Sequence, residues 1–363
     1  MKIVIAAWHL KDFNVGIGRY CRGLIAALGQ VDKENEYHVL VPEAVSRFPQ
    51  FENVHWKVIR IPFFKRRVWE QVAPQLVGRY DVLHFPYDSS VAWKRGKFVI
   101  TIHDVKPLIF GALRPRRGLN NFVERLLVPD WQKQADHVLT VSQSSRRDIM
   151  ERLRFPAERV SVVYPGIDRD QFKPDFSAPS QSNSRPYILC VAGSDPTKNV
   201  ETLLEAFAQL PCELREAHDV VLVGDMRRRQ DVRDRVGQLD IAAQTKFAGV
   251  VDDAQLVYLY QHARVFVFPS RYEGFGFPVL EAMACGCPVI TSNASSLPEV
   301  VGDAALLADP SDSNGFTKHL EQVLADEELR RVLRERGFAR AAQFSWERTA
   351  RETLRVFERV MEE

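Results

Sequence analysis

The sequence predicts two α/β domains in tandem, each a parallel sheet wound on both faces by helices. Three observations carry this. The chain has 363 residues, more than a single core of roughly 250–300 residues accommodates. Short apolar runs alternate with helical periods along most of its length, the pattern of parallel strands covered on both sides. Midway, Asp170–Pro186 reads DQFKPDFSAPSQSNSRP, rich in Pro and Ser with no apolar period, and marks a linker. The expected organisation is a first domain over 1–170, a linker over 171–186, a second domain over 187–344 and a closing helix over 345–363.

In order, the front half offers strands at Lys2–Ala7, Glu36–Val41, His55–Arg60, Val82–Phe85, Phe98–Ile102, His137–Val141 and Val160–Val163. Gly18–Leu28 and Ser142–Leu153 read as helices between them. The rear half runs strand Tyr187–Val191, helix Val200–Leu210, strand Val220–Val223, helix Arg229–Leu239 and strand Thr245–Ala248. Helix Asp253–Gln261, strand Val265–Pro269, helix Pro278–Cys285 and strand Pro288–Ser292 follow. In Ser345–Glu363, the residues Trp346, Ala350, Leu354, Phe357 and Met361 recur at spacings of three and four. They predict a helix with one apolar face that packs on something. Tandem doubly wound domains place ligands at the carboxyl ends of the strands, in a cleft.

Composition narrows the class. Hydrophobic residues make up 45% and charged residues 26%, which excludes a disordered chain. No run approaches the ~18 apolar residues of a membrane span. Met1–Ala7 is too short for a signal peptide and reads as a first strand. Five scattered cysteines argue for a reducing compartment and against a disulfide framework, so a cytoplasmic protein is expected. Net charge is +2, but 28 Lys and Arg against 19 Asp and Glu leave residues 1–175 at +9 and the remainder at −7. A basic front half suits an anionic partner, a phosphate-bearing ligand or a membrane surface; chance patterning is the alternative. No nucleic-acid partner is expected.

The richest segment is Arg271-Tyr272-Glu273-Gly274-Phe275-Gly276-Phe277-Pro278-Val279-Leu280-Glu281. It follows a strand and opens a helix. Gly274 and Gly276 let backbone approach a ligand, Pro278 suits a first helical turn, and the helix start offers unpaired N–H groups to a diphosphate. Glu281 is expected in that first turn and Glu273 just before the loop. Carboxylates beside a phosphate seat make sense facing sugar or ribose hydroxyls. Gly16-Ile17-Gly18, after the first strand, is a second loop able to wrap a phosphate or sugar ring; a plain strand–helix turn is the alternative. Lys198, at a strand–helix junction, can neutralise a departing diphosphate. Ser142 reads equally as a helix cap or a ligand contact.

With these segments in view, EGFGFPVLE resembles the signature of the retaining glycosyltransferases of family 4. The resemblance covers nearly the whole chain. It draws in Val15–Tyr20, Thr101–Asp104, Val141–Ser145, Val163–Asp168, Ala192–Asn199, Phe247–Val251 and Ser296–Val300, and is greatest to bacterial mannosyltransferases of surface-polysaccharide assembly. It implies the GT-B fold: two Rossmann-like domains facing across a cleft, the last helix crossing back to the first domain.

The resemblance further implies transfer of a hexose, with retained configuration, from a nucleotide diphosphate sugar to a glycan or lipid-linked acceptor. GDP-mannose is favoured, with UDP-sugars open. His103 would lie beside the donor sugar and the reacting bond, with Asp104 next to it. Glu273 would hold sugar hydroxyls, Glu281 the ribose, and Val250 and Val251 the base through backbone groups. Gly193, Ser194, Lys198 and the Gly274–Phe277 amides would surround the diphosphate. Family members often carry Arg where Ser194 stands, which leaves more of the charge to Lys198. A same-face mechanism, in which the leaving phosphate helps deprotonate the acceptor, needs neither cofactor nor metal.

Other chemistry is poorly represented. Asp168-Arg169-Asp170 has the D-x-D spacing of metal-dependent transferases of another fold but reads as a turn, and Cys285-x-Cys287 is too little for a metal site. Walker loop, nucleophile elbow and nicotinamide fingerprint are all missing from the sequence. A sugar-nucleotide epimerase of the same fold and a non-catalytic nucleotide-sugar-binding subunit stand as alternatives. KVIRIPFFKRRVWE (Lys57–Glu70) and Arg114–Arg117 mix basic with aromatic residues. They fit peripheral contact with an anionic membrane at its inner face, or a solvated face over core aromatics.

Overall fold

A computed structural model describes residues 1–11, 16–45, 48–61, 66–91, 93–110, 134–175 and 185–363. Two compact units emerge: Met1–Gly166 with Ser345–Glu363, and Ile167–Phe344. Of the expected linker, positions 176–184 lie outside the described residues, as do Arg114–Arg117 and Val15.

The first unit is built on seven strands in the order β3-β2-β1-β4-β5-β6-β7, all neighbours parallel. They are β1 (Lys2–Ala6), β2 (Glu36–Val41), β3 (Val54–Val58), β4 (Val82–Phe85), β5 (Lys97–Ile102), β6 (His137–Thr140) and β7 (Val160–Val162). Every residue of β4 and β6 is buried, as expected for strands covered on both faces. The order reverses between β1 and β4, and such a switch point opens a crevice at the strands' carboxyl ends.

The helix after β1 spans Gly16–Val31. The expected glycine loop is therefore corrected: Gly16 and Gly18 stand in that helix's first turn. Their amides are still among those a helix start leaves without an intrahelical acceptor.

The closing helix, Trp346–Glu362, is capped by Ser345 and belongs to this first unit, as the fold implied. It packs on helix Gly16–Val31 and β5. Gly23 and Gly166 make its seat: a Cβ on either would come 2.1 Å from the Trp346 ring or amide. The apolar face is rotated from the expected one. Thr349, Ala350, Thr353, Val356, Phe357 and Val360 are buried, whereas Met361 is exposed. The partner surface accepts the stripe one position away from the one that hydropathy alone selects. Thr349 Oγ1 donates to Tyr164 O (2.7 Å), and Arg359 donates to His137 Nε2 (2.9 Å) and Ser161 Oγ (2.8 Å).

Helix Arg66–Val72 makes Trp69 one of the core aromatics of the aromatic–basic segment. That ring is buried, and its Nε1 donates to Ile59 O (2.7 Å); positions 62–65 lie outside the described residues. Glu70 is buried too. Desolvation pushes its carboxyl up to about 7, and Arg66 Nε at 3.1 Å pulls the other way without winning. The folded state therefore holds this proton above the ordinary carboxylate pKa. The stabilisation is complete below about 4.5 and is lost as pH rises through 7, a change of about 3 kcal/mol. Melts at pH 5 and pH 8 should show the first unit several degrees less stable at pH 8. Glu70→Gln should flatten the difference; an unchanged pH slope in that variant would refute the assignment.

The second unit carries six parallel strands in the order β10-β9-β8-β11-β12-β13. They are β8 (Tyr187–Val191), β9 (Asp219–Val223), β10 (Thr245–Gly249), β11 (Val265–Phe268), β12 (Val289–Ser292) and β13 (Ala305–Ala308). Ile188, Leu203, Phe207, Leu222, Val267, Phe316 and Leu320 share one core. Helices Cys212–Ala217, Leu297–Val301, Ser313–Ala325 and Glu327–Ala341, together with β13, join the elements read from the sequence. The switch point falls between β8 and β11, and the motif-rich segments follow those two strands. No helix among the described residues is long and apolar enough to cross a membrane.

Candidate active site

Two turns meet at the carboxyl ends of β8 and β11. After β8, Gly193 (φ +81°) and the exposed Ser194 lead into a short 3-10 turn, Pro196–Lys198. After β11, Ser270–Gly276 leads into helix Phe277–Ala284. One backbone bond and one side-chain bond join the turns: Arg271 N donates to Thr197 O (2.8 Å), and the Asn199 side chain donates through Nδ2 to Pro269 O (2.9 Å). This stitching brings together two charged side chains 75 positions apart. Lys198 Nζ lies 2.7 Å from Glu273 Oε1 and 4.9 Å from the centre of the Phe268 ring.

Serines fix the acid. Ser270 Oγ donates to Glu273 Oε1 (2.6 Å), Ser295 Oγ accepts the Glu273 amide (2.8 Å), and Ser296 Oγ donates to Phe275 O (2.6 Å). Both side-chain donors use Oε1. Among the described residues, Oε2 accepts no hydrogen bond, so the carboxylate keeps one oxygen for hydroxyl donors.

Gly274, Phe275 and Gly276 are buried and Phe277 half-buried. Gly276 has φ +117°, and a Cβ there would sit 2.9 Å from Leu297 Cδ2; glycine alone meets both conditions. Glu281 is corrected from the first to the second turn of helix Phe277–Ala284. It is buried, and its Oε2 accepts the Tyr260 hydroxyl (3.2 Å). Val250 stands exposed just past β10, with Val251 half-buried.

In the first unit, His103 and Asp104 follow β5. His103 Nε2 lies 3.0 Å from Pro86 O. A carbonyl only accepts, so Nε2 carries the hydrogen and Nδ1 presents a lone pair. Tyr20 packs edge-on against the imidazole at 4.7 Å. Burial lowers the His103 pKa; the bond to Pro86 and the charges of Asp104 and Asp88 oppose this only in part, so the ring is neutral at pH 7. Asp104 Oδ1 accepts the Lys106 amide (2.9 Å). Ser142 is buried, and its Oγ accepts the Ser145 amide (3.0 Å), the geometry of a helix cap.

The structure thus groups Gly193, Ser194, Lys198, Glu273 and Gly274–Phe277 around the second unit's switch point. His103, Asp104, Ser142, Gly16 and Gly18 belong to the first unit. Ser270, Ser295, Tyr260 and the Pro86 carbonyl were not singled out in sequence. Only the position of Ser270 at a strand's end could have suggested it. Asp168 Oδ1 accepts the amides of Asp170 and Gln171 (both 3.1 Å), closing a turn. No group of three or more metal-ligating side chains forms among the described residues.

Comparison with known proteins places this geometry. Residues 15–171 match the family model described as Glycosyltransferase Family 4, and residues 172–340 the one described as Glycosyl transferases group 1. The chain is 32% identical over 392 residues to O-antigen chain mannosyltransferase B of Escherichia coli, covering 98% of this chain and 99% of that one. It is 34% identical over 235 residues to MMP alpha-(1->4)-mannosyltransferase of Mycolicibacterium hassiacum, covering 63% and 55% of the two chains.

Among solved structures, sucrose-phosphate synthase from Thermosynechococcus elongatus superposes with TM-score 0.76 at 22% identity, covering 100% of this chain and 99% of that one. HepE of Anabaena in complex with UDP and glucose gives 0.72 at 20% identity, with 99% of both chains covered. Fold and relatives together define a glycosyltransferase of the GT-B class. Within that class, the chain belongs to the family whose models it matches, the family 4 and group 1 glycosyltransferases.

Proposed function

We propose that the chain moves a mannosyl unit from GDP-mannose to a hydroxyl of a glycan or lipid-linked acceptor, with retention and without a metal or other cofactor. The observation that carries the reading is the Lys198–Glu273 pair beside the start of helix Phe277–Ala284, in a chain whose full-length relative is a mannosyltransferase. As the sugar–phosphate bond breaks, charge grows on the diphosphate. Lys198 and the positive end of that helix's dipole offset it. Glu273 Oε2 holds sugar hydroxyls while Oε1 stays with Lys198 and Ser270, a positioning role rather than a nucleophile's. Glu281 binds the ribose, the backbone at Val250 and Val251 the base, and Gly193 and Ser194 the phosphates.

In the first unit, neutral His103 offers Nδ1 to a substrate hydroxyl, beside Asp104, Ser142 and the helix start at Gly16 and Gly18. The leaving phosphate takes the acceptor proton. UDP-sugars are the second donor class, supported by the UDP bound to structural neighbours. The basic front half supports peripheral attachment to the inner face of an anionic membrane.

Thermal melts with GDP, UDP, ADP and their sugars, with and without EDTA, test the donor. At about 100 times its dissociation constant a ligand adds about 2.7 kcal/mol. GDP and GDP-mannose should raise the melting temperature selectively, and EDTA should not reverse it. A shift confined to UDP-sugars would replace the donor, an EDTA-reversible shift would overturn metal independence, and no shift with any nucleotide would remove the site.

A further inference from the structure

A cavity of about 310 Å³ opens in the first unit, lined by Trp8, Pro42, Arg60, Ile61 and Trp69. Its position follows from the sheet. Trp8 comes just after β1, Pro42 just after β2, and Arg60 and Ile61 just after β3, three adjacent strands. The cavity therefore sits at their carboxyl ends, where doubly wound sheets bind ligands. It lies on the same sheet end as His103 but is displaced along it. Two to four strand spacings separate β1, β2 and β3 from β5, about 10–19 Å.

The lining has a defined chemistry. Trp69 is fixed, buried and bonded through Nε1 to Ile59 O. Trp8 packs edge-on against it with ring centres 5.4 Å apart and is itself half-buried, so part of its surface is open to a ligand. Arg60 is exposed, and among the described residues its guanidinium has no hydrogen-bond or ion-pair partner. An indole presents an electron-rich face, complementary to the C–H face of a pyranose. A planar guanidinium donates paired N–H bonds to neighbouring oxygens. Aromatic walls with one unspent fork of donors suit a neutral sugar ring: an apolar face on one side, hydroxyls on the other.

We propose that this cavity is a carbohydrate subsite holding an inner sugar of the acceptor glycan, two or three units behind the hydroxyl that reacts. The proposal rests on the glycosyltransferase reading above. Its distance from His103 makes it a chain-length sensor: a single sugar at the reacting position cannot reach it, and a longer chain can. Trp8 stacks on the ring and Arg60 holds its hydroxyls, so acceptor affinity rises with length.

The test uses the full chain, GDP-mannose, and mannose mono-, di-, tri- and tetrasaccharides as acceptors. Wild type should show an acceptor KM that falls at least ten-fold between the monosaccharide and the tetrasaccharide. Trp8→Ala and Arg60→Ala should each erase most of that advantage, and Trp8→Phe, which keeps an aromatic face, should restore part of it. Arg60 is exposed, so its variant reads the subsite even if Trp8→Ala folds poorly. A KM independent of length in wild type, or an unchanged length preference in the variants, would overturn the subsite.

Calorimetric binding of the tetrasaccharide provides a readout without turnover. Binding that Arg60→Ala weakens ten-fold, in a chain that transfers nothing, would uphold the subsite while sinking the transferase reading. No binding in wild type would overturn the subsite whatever the activity.

Discussion

Glu273→Gln is expected to lower sugar transfer on the order of 100-fold or more, while the affinity for the nucleoside diphosphate stays within a few-fold of wild type. The argument is geometric. Glutamine keeps the shape of the side chain, and its carbonyl oxygen can still accept from Lys198 and Ser270, which now bond Oε1 at 2.7 and 2.6 Å. What disappears is the negative charge shared by the second oxygen, which on the proposed function holds the sugar hydroxyls. Interactions that strengthen as charge develops in the transition state are worth this much when deleted. Lys198 simultaneously loses its counter-ion, which favours an anionic leaving group in the ground state, so diphosphate binding should hold or tighten.

Glu281→Ala has the opposite signature. It should raise the dissociation constant of the nucleotide, because on the proposed function this buried carboxylate, beside the Tyr260 hydroxyl, binds the ribose rather than the reacting sugar. Steady-state kinetics paired with nucleotide titration separates the two. If Glu273→Gln transferred sugar at the wild-type rate, or if both variants lost nucleotide binding alike, the roles assigned here would fall.

Removing Ser345–Glu363 should unfold the first unit while leaving the second folded. The last helix supplies Ala350, Thr353, Val356, Phe357 and Val360 to the core of a unit otherwise formed by Met1–Gly166. Phe357 is fully buried, and truncation of such a ring alone costs about 3–5 kcal/mol. Loss of the whole apolar face is comparable to the about 5–15 kcal/mol that usually separates folded from unfolded. It also empties the slot that Gly23 and Gly166 leave for Trp346.

Hydrogen exchange reports each sheet by itself. Amides of β1 and β5 should lose protection in the truncated chain, and those of β8 and β11 should keep it. The point variant Phe357→Ala should lower the first unit's transition without abolishing it. Full protection of β1 and β5 in the truncated chain would show that the helix is an appendage.

Much of the fold was legible because a parallel strand covered on both faces is mostly apolar rather than alternating. Val265–Phe268 could be read as a contiguous apolar run, and Val82–Phe85 as one interrupted only by the buried His84; their boundaries in the structure agree to within a residue. The Glu273–Glu281 segment was legible for a related reason: its glycines, proline and acids are contiguous. Helices outside such runs were harder. Ser313–Ala325 and Glu327–Ala341 were not assigned, although Phe316, Leu320 and Leu324 sit at helical spacing in the first of them. The second carries Arg330, buried against the Val323 and Leu324 carbonyls, where a hydrophobic residue is expected.

The sequence by itself determined that strands and helices alternate, that two sheets form, and that a glycine-rich turn opens a helix between two acids. These follow from local rules: burial on both faces, φ preference, and unpaired amides at a helix start. Only the tertiary structure decided which oxygen of Glu273 is spent, that Lys198 is its partner, which nitrogen of His103 carries the proton, and which stripe of the last helix is buried. Each of these depends on contacts between segments far apart in the chain. A partner 75 positions away leaves no trace in local periodicity, and a one-position rotation of a helix changes its buried face without changing its composition.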